Sequence, residues 1–387
     1  MRLTRSIVLL AVLLIAAVIA YAAVPYVRAA SLFVRVANLG GRVERFADAR
    51  ARAVTMQPPH MVPTREGDVA AQFYRPEGRV RRLVLLVPGV HSMGIAEPRL
   101  TALARDLAGS GIAVMAMALP DLMAYQITAR SADVIEDAVA WLAGQPALAP
   151  DGRVGVVGIS FAGGLAIVAA SRPAIRDKVA YVVSFGGHGD LGRVLHYLAT
   201  GEAVKAPGID THPPHDYGVA VILYAAADRV VPADQVAPLR EGIRTFLYAS
   251  QLTLVDMTQA NATFEKARAM VKALPEPSAT YLKYVNERNV KALGPILVPH
   301  LGLEADPAAS PERAPGVPSA PVFLLHGDGD TVIPTAESAV LAGYLQSKGV
   351  DVHVLISQII THAELDRSAA MMEVWRLIAF WADVLRR

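Results

Sequence analysis

The sequence contains a series of short apolar runs, each long enough for one strand and separated by stretches with helical spacing. These runs lie at 82–87, 112–119, 153–158, 178–185, 322–325 and 352–356. Strands that alternate with helices predict parallel pairing, and uninterrupted apolar runs are typical of strands buried on both faces. We therefore expect an α/β protein with a mostly parallel, doubly wound sheet and helices on both sides.

The alternation is interrupted between residues 188 and 320. This segment is predicted to be mainly helical, with one further strand at 219–225, and it ends in a proline-rich linker. The strand pattern resumes afterwards, so the predicted core has a first part at 64–187 and a second part at 321–387. A helical insertion late in such a sheet is expected to form a cap over its edge.

The N-terminus carries an unbroken apolar run, 7–24, after Arg2 and Arg5. Its 18 residues would span about 27 Å as a helix, close to the roughly 30 Å of a hydrocarbon core. We predict that residues 1–24 form a transmembrane anchor. The alternatives are a signal peptide cleaved near the small residues at 20–22 and a helix buried in a globular domain.

Residues 25–63 are predicted to form a basic juxtamembrane segment with one or two helices. Its six arginines fit a solvated helix face as well as a contact with lipid headgroups. Basic residues flank the apolar run on both sides, so the positive-inside rule is nearly balanced. Because short basic N-terminal segments usually remain inside, we expect the rest of the chain on the periplasmic or extracellular face.

Composition excludes several functional classes. The chain has 37 basic and 35 acidic residues, and this net charge of +2 leaves no basic surplus for binding nucleic acid. The absence of cysteine excludes disulfides, thiolate metal sites and cysteine nucleophiles. Neither a zinc-binding H-E-x-x-H motif nor a glycine-rich nucleotide loop follows a strand, so we expect no metal and no cofactor. The oligomeric state is left open by the sequence.

The segment 156–164, VVGISFAGG, puts Ser160 between a predicted buried strand and a predicted helix. A sharp turn between strand and helix projects a nucleophilic serine above the sheet, and small residues must flank it because the turn is tight. Gly158 fits the first small position, whereas Ala162 stands where glycine is usual. The alternative is a serine that caps an ordinary helix.

A serine hydroxyl becomes a good nucleophile only when a base takes its proton, and an acid must orient that base. Asp330 follows the strand at 322–325 and is the candidate acid. His362 follows the strand at 352–356 and is the candidate base. Both lie after carboxyl ends of strands, where an α/β sheet presents its functional residues.

Other residues compete for these roles. Asp228 lies in a similar loop motif, DRVVP, but precedes most of the inserted helices, and the glycines around Asp328 favour a turn. Among the histidines, we expect His326 to hold the acid loop and His353 to pack within its strand. For His188, which ends a strand near the expected site, lining a pocket is left open as an alternative.

Four motifs together resemble the α/β-hydrolase superfamily, in particular its dienelactone-hydrolase-like and esterase-like branches. They are RLVLLVPG at 82–89, GISFAGG at 158–164, HGDGDTVIP at 326–334 and THAE at 361–364. The resemblance covers 64–187 and 320–387. The order serine, aspartate, histidine is the one that this fold uses.

The resemblance implies an oxyanion hole made of two backbone N–H groups. One would belong to Phe161, and the other to Val90 or His91, between which the sequence does not decide. The three ordered motifs predict a serine hydrolase that forms an acyl-enzyme on a small ester. The apolar helices of the insertion, together with the predicted anchor, favour a hydrophobic or lipid-like substrate. The alternatives are transfer of the acyl group to another acceptor, peptide cleavage by the same triad, and a non-catalytic binding module tethered to the membrane.

Overall fold

A computed structural model describes the backbone of residues 2–80, 82–205, 208–211, 213–304, 306–361, 364–365 and 371–387. Side chains are described for 13–80, 82–203, 213–302, 306–360 and 371–387. The strands are β1 (Val54–Met56), β2 (His60–Thr64), β3 (Gly67–Pro76), β4 (Leu83–Val87), β5 (Ala113–Met117), β6 (Val154–Ile159), β7 (Val179–Phe185), β8 (Glu202–Lys205), β9 (Gly208–Thr211), β10 (Val322–Gly327), β11 (Val352–Ser357), β12 (Ile360–Thr361) and β13 (Glu364–Leu365).

The helices alternate with these strands in the first and last parts of the chain and dominate between them. They are α1 (Arg2–Val36), α2 (Gly41–Asp48), α3 (Pro98–Gly109), α4 (Pro120–Met123), α5 (Arg130–Ala143), α6 (Phe161–Ala170), α7 (Leu191–Thr200), α8 (Asp216–Val230), α9 (Ala233–Leu252), α10 (Met257–Met270), α11 (Ser278–Asn286), α12 (Val290–Leu297), α13 (Leu301–Glu304), α14 (Ala336–Ser347) and α15 (Met371–Arg386).

Nine of the described strands form one sheet in the order β1-β3-β5-β4-β6-β7-β10-β11, with β2 paired to β3. Within this sheet, β5, β4, β6, β7, β10 and β11 pair in parallel, whereas β1, β2 and β3 pair antiparallel at one edge. This confirms the mostly parallel sheet expected from the apolar runs. The carboxyl ends of the parallel strands consequently meet along one edge of the sheet, where functional residues of α/β proteins gather.

The sheet separates two apolar cores, because successive side chains of a strand point to opposite faces. In β4, Leu83, Leu85 and Val87 pack in the core that contains α5 and α6. Val84 and Leu86 pack in the other core, with α1, α3 and α15. Burial on both faces explains why β4 reads as a continuous apolar run.

Strands β1 and β2, at the antiparallel edge of the sheet, were not predicted. β1 and β2 are short, and Pro63 lies inside β2. A proline gives no N–H to a strand ladder and is tolerated mainly at sheet edges, so these strands carry a weak sequence signal.

Between β7 and β10 the described chain forms α7–α13 and the hairpin of β8 and β9, a segment called the insertion below. The strand predicted at 219–225 is wrong, because these residues lie in α8. Val219, Ala220, Ile222 and Leu223 are all buried there. A helix buried on all sides loses the 3.6-residue apolar period, so a short run of this kind resembles a buried strand.

Arg193 in α7 connects the insertion to the sheet domain through buried carboxylates. Its Nε donates to Glu337 of α14 at 2.8 Å, and its Nη1 donates to Glu312 at 2.8 Å. Glu337 also accepts the backbone N–H groups of Gly189 and Asp190, each at 2.9 Å. One carboxylate therefore holds the end of the β7 loop and the first helix of the insertion together.

Helix α1 continues through Pro25 without interruption, although the anchor was predicted to end at residue 24. Within the described residues, Leu13–Val36 is the one helix long and apolar enough to cross a membrane, and 6% of its most apolar window is buried. Beyond Pro25 the helix joins the folded domain. Leu32 is buried, and Tyr26 stacks on Trp375 of α15 with ring centroids 5.6 Å apart.

Candidate active site

Ser160 lies between β6 and α6 in a strained backbone conformation. Its φ and ψ angles are 55° and −134°, a region that non-glycine residues avoid at a cost of about 1–3 kcal/mol. Its N–H donates to the carbonyl of Phe185, at the end of β7, at 2.7 Å, and its own carbonyl accepts the N–H of Gly163 at 2.7 Å. An ordinary helix cap needs no such strain, so the geometry fits the sharp turn expected of a nucleophile.

The small residues around Ser160 are required by the closeness of the turn. A Cβ at Gly158 would lie 2.3 Å from the carbonyl oxygen of Ala162 and 2.8 Å from the Cα of Gly163. These are backbone atoms, which cannot give way without opening the turn. Ala162 itself is fully buried in the apolar core, so its methyl group is accommodated where glycine is usual.

The loop after β4 approaches the Ser160 side chain closely. A Cβ at Gly89, in the loop after β4, would lie 3.0 Å from the Cβ of Ser160. The N–H groups of Phe161, Val90 and His91 donate to no acceptor among the described residues. They are therefore available to a substrate oxygen, and the choice between Val90 and His91 stays open.

The strand order and the strained serine turn after a central parallel strand together decide the fold. In the sheet, β5 lies between β3 and β4, and the serine turn follows β6, which has parallel neighbours on both sides. This combination of the strand crossover and the strained turn between strand and helix defines one architecture. The chain has the α/β-hydrolase fold.

A cavity of about 420 Å³ opens above Ser160 and is called the Ser160 cavity below. Its lining includes Val90, His91 and Phe185, and it extends to Val36 at the end of α1. The helix predicted to be an anchor thus contributes a wall of the cavity in which the serine lies, a relationship that the sequence did not reveal.

Tyr217, at the start of α8, also lines this cavity and is a polar residue that sequence reasoning missed. Burial and the negative charge of Asp330 raise the pKa of its hydroxyl, so this group stays protonated and can donate a hydrogen bond. Burial lowers the pKa of His91, which favours its neutral form. The Nδ1 of His91 accepts the N–H of Met93 at 3.2 Å, so its ring is turned back toward its own loop.

Asp330 is buried at the same edge of the sheet as Ser160. Its Oδ1 accepts the N–H groups of Val332 at 2.8 Å and Ile333 at 3.0 Å, which fix the carboxylate. A Cβ at Gly186 would lie 3.5 Å from its Oδ2. Gly186 directly follows Phe185, whose carbonyl accepts the N–H of Ser160. The side chains of Ser160 and Asp330 therefore lie on either side of the end of β7.

His326 holds the loop that carries Asp330. Its Nε2 lies 2.9 Å from the carbonyl of Ile333 and 3.4 Å from Oδ2 of Asp330, and its Nδ1 lies 2.7 Å from the hydroxyl of Ser338. A carbonyl can only accept, so Nε2 carries the hydrogen and Nδ1 accepts from Ser338. The fully buried His326 is thus engaged in holding the loop, as the sequence suggested.

His362, the predicted base, lies outside the described residues. The chain just before it can be located, because a Cβ at Gly327, the last residue of β10, would lie 2.3 Å from the carbonyl oxygen of Ile360. Residues 360 and 361 therefore pass against the end of the strand that leads to Asp330. The role of His362 stays a prediction.

The competing residues lie in less suitable surroundings. Asp228 is on α8, about half exposed, and pairs with Arg240 at 3.1 Å. Asp328 is exposed, in contrast to Asp330. His188 is fully buried, with Nε2 2.9 Å from the carbonyl of Ala309, and is not part of the lining of the Ser160 cavity.

His353 stacks on Phe323 with centroids 4.5 Å apart, which is a packing role. Within the part of the chain that the structure describes, no group of three or more histidine, aspartate or glutamate side chains could hold a metal ion.

Gln251 of α9 is a second residue that sequence reasoning missed. Its Oε1 accepts the hydroxyl of Ser92 at 2.7 Å, the N–H of Ser92 at 3.4 Å and the hydroxyl of Tyr125 at 3.2 Å. Ser92 lies in the loop after β4, next to His91. The insertion therefore contacts the loop that supplies the candidate oxyanion donors, a contact visible only once the chain is folded.

Comparison with solved structures gives broad but distant similarity. An esterase of Pyrobaculum calidifontis is 16% identical, with 88% of each chain covered and a TM-score of 0.48. An esterase of Pyrococcus furiosus is 13% identical, with 85% of this chain and 90% of that chain covered and a TM-score of 0.46. An acylaminoacyl peptidase of Pyrococcus horikoshii is 13% identical, with 89% of this chain but 43% of that chain covered and a TM-score of 0.46. No protein-family model and no curated protein matches the sequence.

Proposed function

We propose that this chain is a serine hydrolase that cleaves carboxylic esters, with Ser160 as nucleophile, His362 as base and Asp330 as the orienting acid. The observation that carries the proposal is the strained turn that holds Ser160 below an open cavity. Strain of this size persists only where the surrounding structure enforces it, and it is concentrated at functional sites. The available N–H groups beside the serine add the second requirement of acyl transfer, a site for the oxyanion.

In the proposed reaction, His362 takes the hydroxyl proton of Ser160 while the serine oxygen attacks the ester carbonyl. The N–H of Phe161, with that of Val90 or His91, would donate to the oxyanion, and the N-terminus of α6 adds a favourable potential. Collapse of the intermediate expels the alcohol, which takes its proton from His362, and leaves an acyl-enzyme. Water then attacks with His362 as base, the acid leaves, and Ser160 regains its proton.

The substrate class proposed is a small or lipid-derived ester. The Ser160 cavity combines apolar residues such as Val90 and Leu103 with a few polar groups, among them the hydroxyl of Tyr217. This mixture is typical of sites that bind an apolar substrate in one orientation. We also propose that the insertion, 188–320, acts as a cap, which is supported by the contact between Gln251 and Ser92.

We further propose that α1 anchors the protein in a membrane with the sheet domain exported. The support is the row of exposed apolar side chains before Pro25, such as Leu14 and Ile19 at 67% and 63% exposure. A contiguous apolar surface of this kind is unfavourable in water. Resistance of the protein to alkaline extraction from membranes tests the anchor, and protease sensitivity in intact compared with permeabilised cells tests the orientation.

The catalytic proposal is tested by the Ser160→Ala variant and turnover of a short p-nitrophenyl ester. We expect turnover to fall to the background rate, while the free energy of unfolding changes by less than about 1 kcal/mol because only one hydroxyl is removed. Ser347→Ala, a change on the exposed side of α14, serves as the control and should retain full activity. Unchanged turnover in Ser160→Ala would overturn the assignment.

A further inference from the structure

A groove of about 330 Å³ lies beside α1, just beyond its exposed apolar part. One wall is apolar and includes Ala20, Val24 and Val27 of α1. The opposite side carries Arg50 and Arg52, from the chain that follows α2. We call this feature the arginine groove. With Arg28 of α1, which also lines it, the groove combines an apolar surface with three arginines.

Arg50 and Arg52 both lack an anionic partner within the described residues. Arg52 donates through Nη1 to the carbonyl of Arg79 at 3.0 Å and to that of Glu77 at 3.3 Å. Arg50 donates to the carbonyl of Phe46 at 3.4 Å, and its guanidinium lies 3.4 Å from the centroid of the Phe46 ring. Carbonyls and rings orient these groups but do not neutralise them, so both positive charges remain.

Arg35, on the same helix as the apolar wall, shows the contrast. It pairs with Asp106 at 2.9 Å and also donates to the hydroxyl of Ser110. Its charge is thus neutralised inside the protein. Arg35 thus has a carboxylate partner inside the protein, whereas Arg50 and Arg52 have none in the part of the chain that the structure describes.

The depth of the groove along α1 matches a membrane surface. It follows the exposed apolar part of α1 directly, and Tyr21 and Tyr26 lie at the same level. Tyr26 stacks on Trp375, which is 58% exposed. Tyrosine and tryptophan concentrate where a protein passes through lipid headgroups.

Helix α2 turns back beside α1 and brings the arginines to this level. Ser31 of α1 donates to the carbonyl of Ala47 at 3.0 Å, so the end of α2 lies next to the last turns of α1. Val43 and Phe46 of α2 are 56% and 60% exposed. Exposed apolar side chains alternating with arginines are typical of a helix at a bilayer surface.

We propose that the arginine groove binds the headgroup phosphate of an anionic membrane phospholipid. The phosphate would lie against Arg50 and Arg52, and the start of an acyl chain would follow the wall formed by Ala20 and Val24. Arginine suits this role because its planar guanidinium offers paired donors to phosphate oxygens. The inference rests on the proposed anchoring of α1. It adds a bound lipid where the membrane-spanning part of α1 meets the folded domain.

The test uses the full-length chain in nanodiscs of phosphatidylcholine, with and without phosphatidylglycerol. Lipid retained by the protein after transfer to detergent is counted by native mass spectrometry, and thermal stability is recorded in each disc. We expect retention of phosphatidylglycerol and a higher Tm in its presence. In Arg50→Gln/Arg52→Gln the apparent affinity for phosphatidylglycerol should fall by about tenfold or more, because two positive charges next to the headgroup are lost.

The matched control is Arg176→Gln/Lys266→Gln, which removes the same net charge from exposed positions elsewhere. It should retain the lipid like the unmodified chain. If both double variants lost bound phosphatidylglycerol equally, or both retained it equally, the proposal would be overturned. Inorganic phosphate added to phosphatidylcholine discs should have no effect, and stabilisation by phosphate alone would also contradict it. Failure of the chain to enter nanodiscs would instead overturn the anchor.

Discussion

At the scale of single residues, the serine turn depends on atoms that a sequence motif only implies. Gly158 and Ser160 could be singled out from the sequence because glycine and a strand-to-helix boundary are visible there. The sequence also favoured Asp330 over Asp328, and the folded chain buries the first and exposes the second. Tyr217 and Gln251 could not be found in this way, because their significance lies in contacts between distant segments.

The turn makes Gly158 sensitive to the smallest substitution. In Gly158→Ala the new Cβ would meet the carbonyl oxygen of Ala162 at 2.3 Å, so the turn must open. We expect the free energy of unfolding to fall by about 3 kcal/mol, measured by urea denaturation.

Gly343→Ala is the control for this change, because a Cβ there has no atom within 4 Å and the residue lies in α14. It should be neutral or stabilising by up to about 1 kcal/mol. Equal denaturation midpoints for the two variants would show that the turn is looser than described.

Gln251 is expected to position the loop after β4 rather than to take part in chemistry. In Gln251→Leu, Ser92 and Tyr125 lose their shared acceptor, so the loop that carries Val90 and His91 is held less firmly. We expect kcat for ester hydrolysis to fall by about tenfold, less than for the loss of an oxyanion donor itself, with KM nearly unchanged.

Two further variants distinguish the loss of loop positioning from a general disturbance of the fold. Gln251→Glu keeps an acceptor oxygen and should recover most of the activity. Gln259→Leu, at an exposed position of α10 in the same insertion, should leave both kinetic constants unchanged. If Gln251→Leu raised KM alone, the contact would serve substrate binding instead.

At the scale of helices and strands, prediction succeeded where the apolar pattern of a segment identifies its secondary structure. It failed where packing against other segments determines that structure. The parallel strands were predicted from their apolar runs, which in β4, β5, β6, β7 and β10 reflect burial on both faces. The run at 219–225 has the same composition but lies in α8, since a fully buried helix is also apolar throughout. Edge strands β1 and β2 lack an uninterrupted apolar run and were missed.

Helix α7 is held to the rest of the molecule by Arg193, whose partners Glu312 and Glu337 are 14% and 5% exposed. In Arg193→Met both carboxylates would remain buried without a cation. We expect a loss of about 3 kcal/mol in the free energy of unfolding, measured by urea denaturation.

The comparison for this variant is Arg244→Met, which removes an exposed pair with Glu241 one helical turn away. Exposed pairs of this type contribute little, so the change should stay within about 0.5 kcal/mol. A loss of the same size in both variants would mean that the buried carboxylates do not depend on Arg193.

At the scale of the whole molecule, the apolar helix and the edge of the sheet that carries Ser160 are parts of one unit. The sequence predicted an apolar N-terminal segment but separated it from the domain at residue 24. The folded chain continues the same helix, packs it on α15 and ends it at Val36 in the wall of the Ser160 cavity. A one-dimensional pattern cannot show this, because α1 and α15 are at opposite ends of the chain.

The most direct test of the account is covalent labelling of the full-length protein by a fluorophosphonate, mapped by peptide mass spectrometry. An activated serine reacts with this probe because the triad and the oxyanion hole assist the attack. We predict stoichiometric modification of Ser160, strongly slowed in Asp330→Asn and unchanged in Asp328→Asn. A folded protein whose Ser160 stays unmodified, or whose label lies on another residue, would contradict the account.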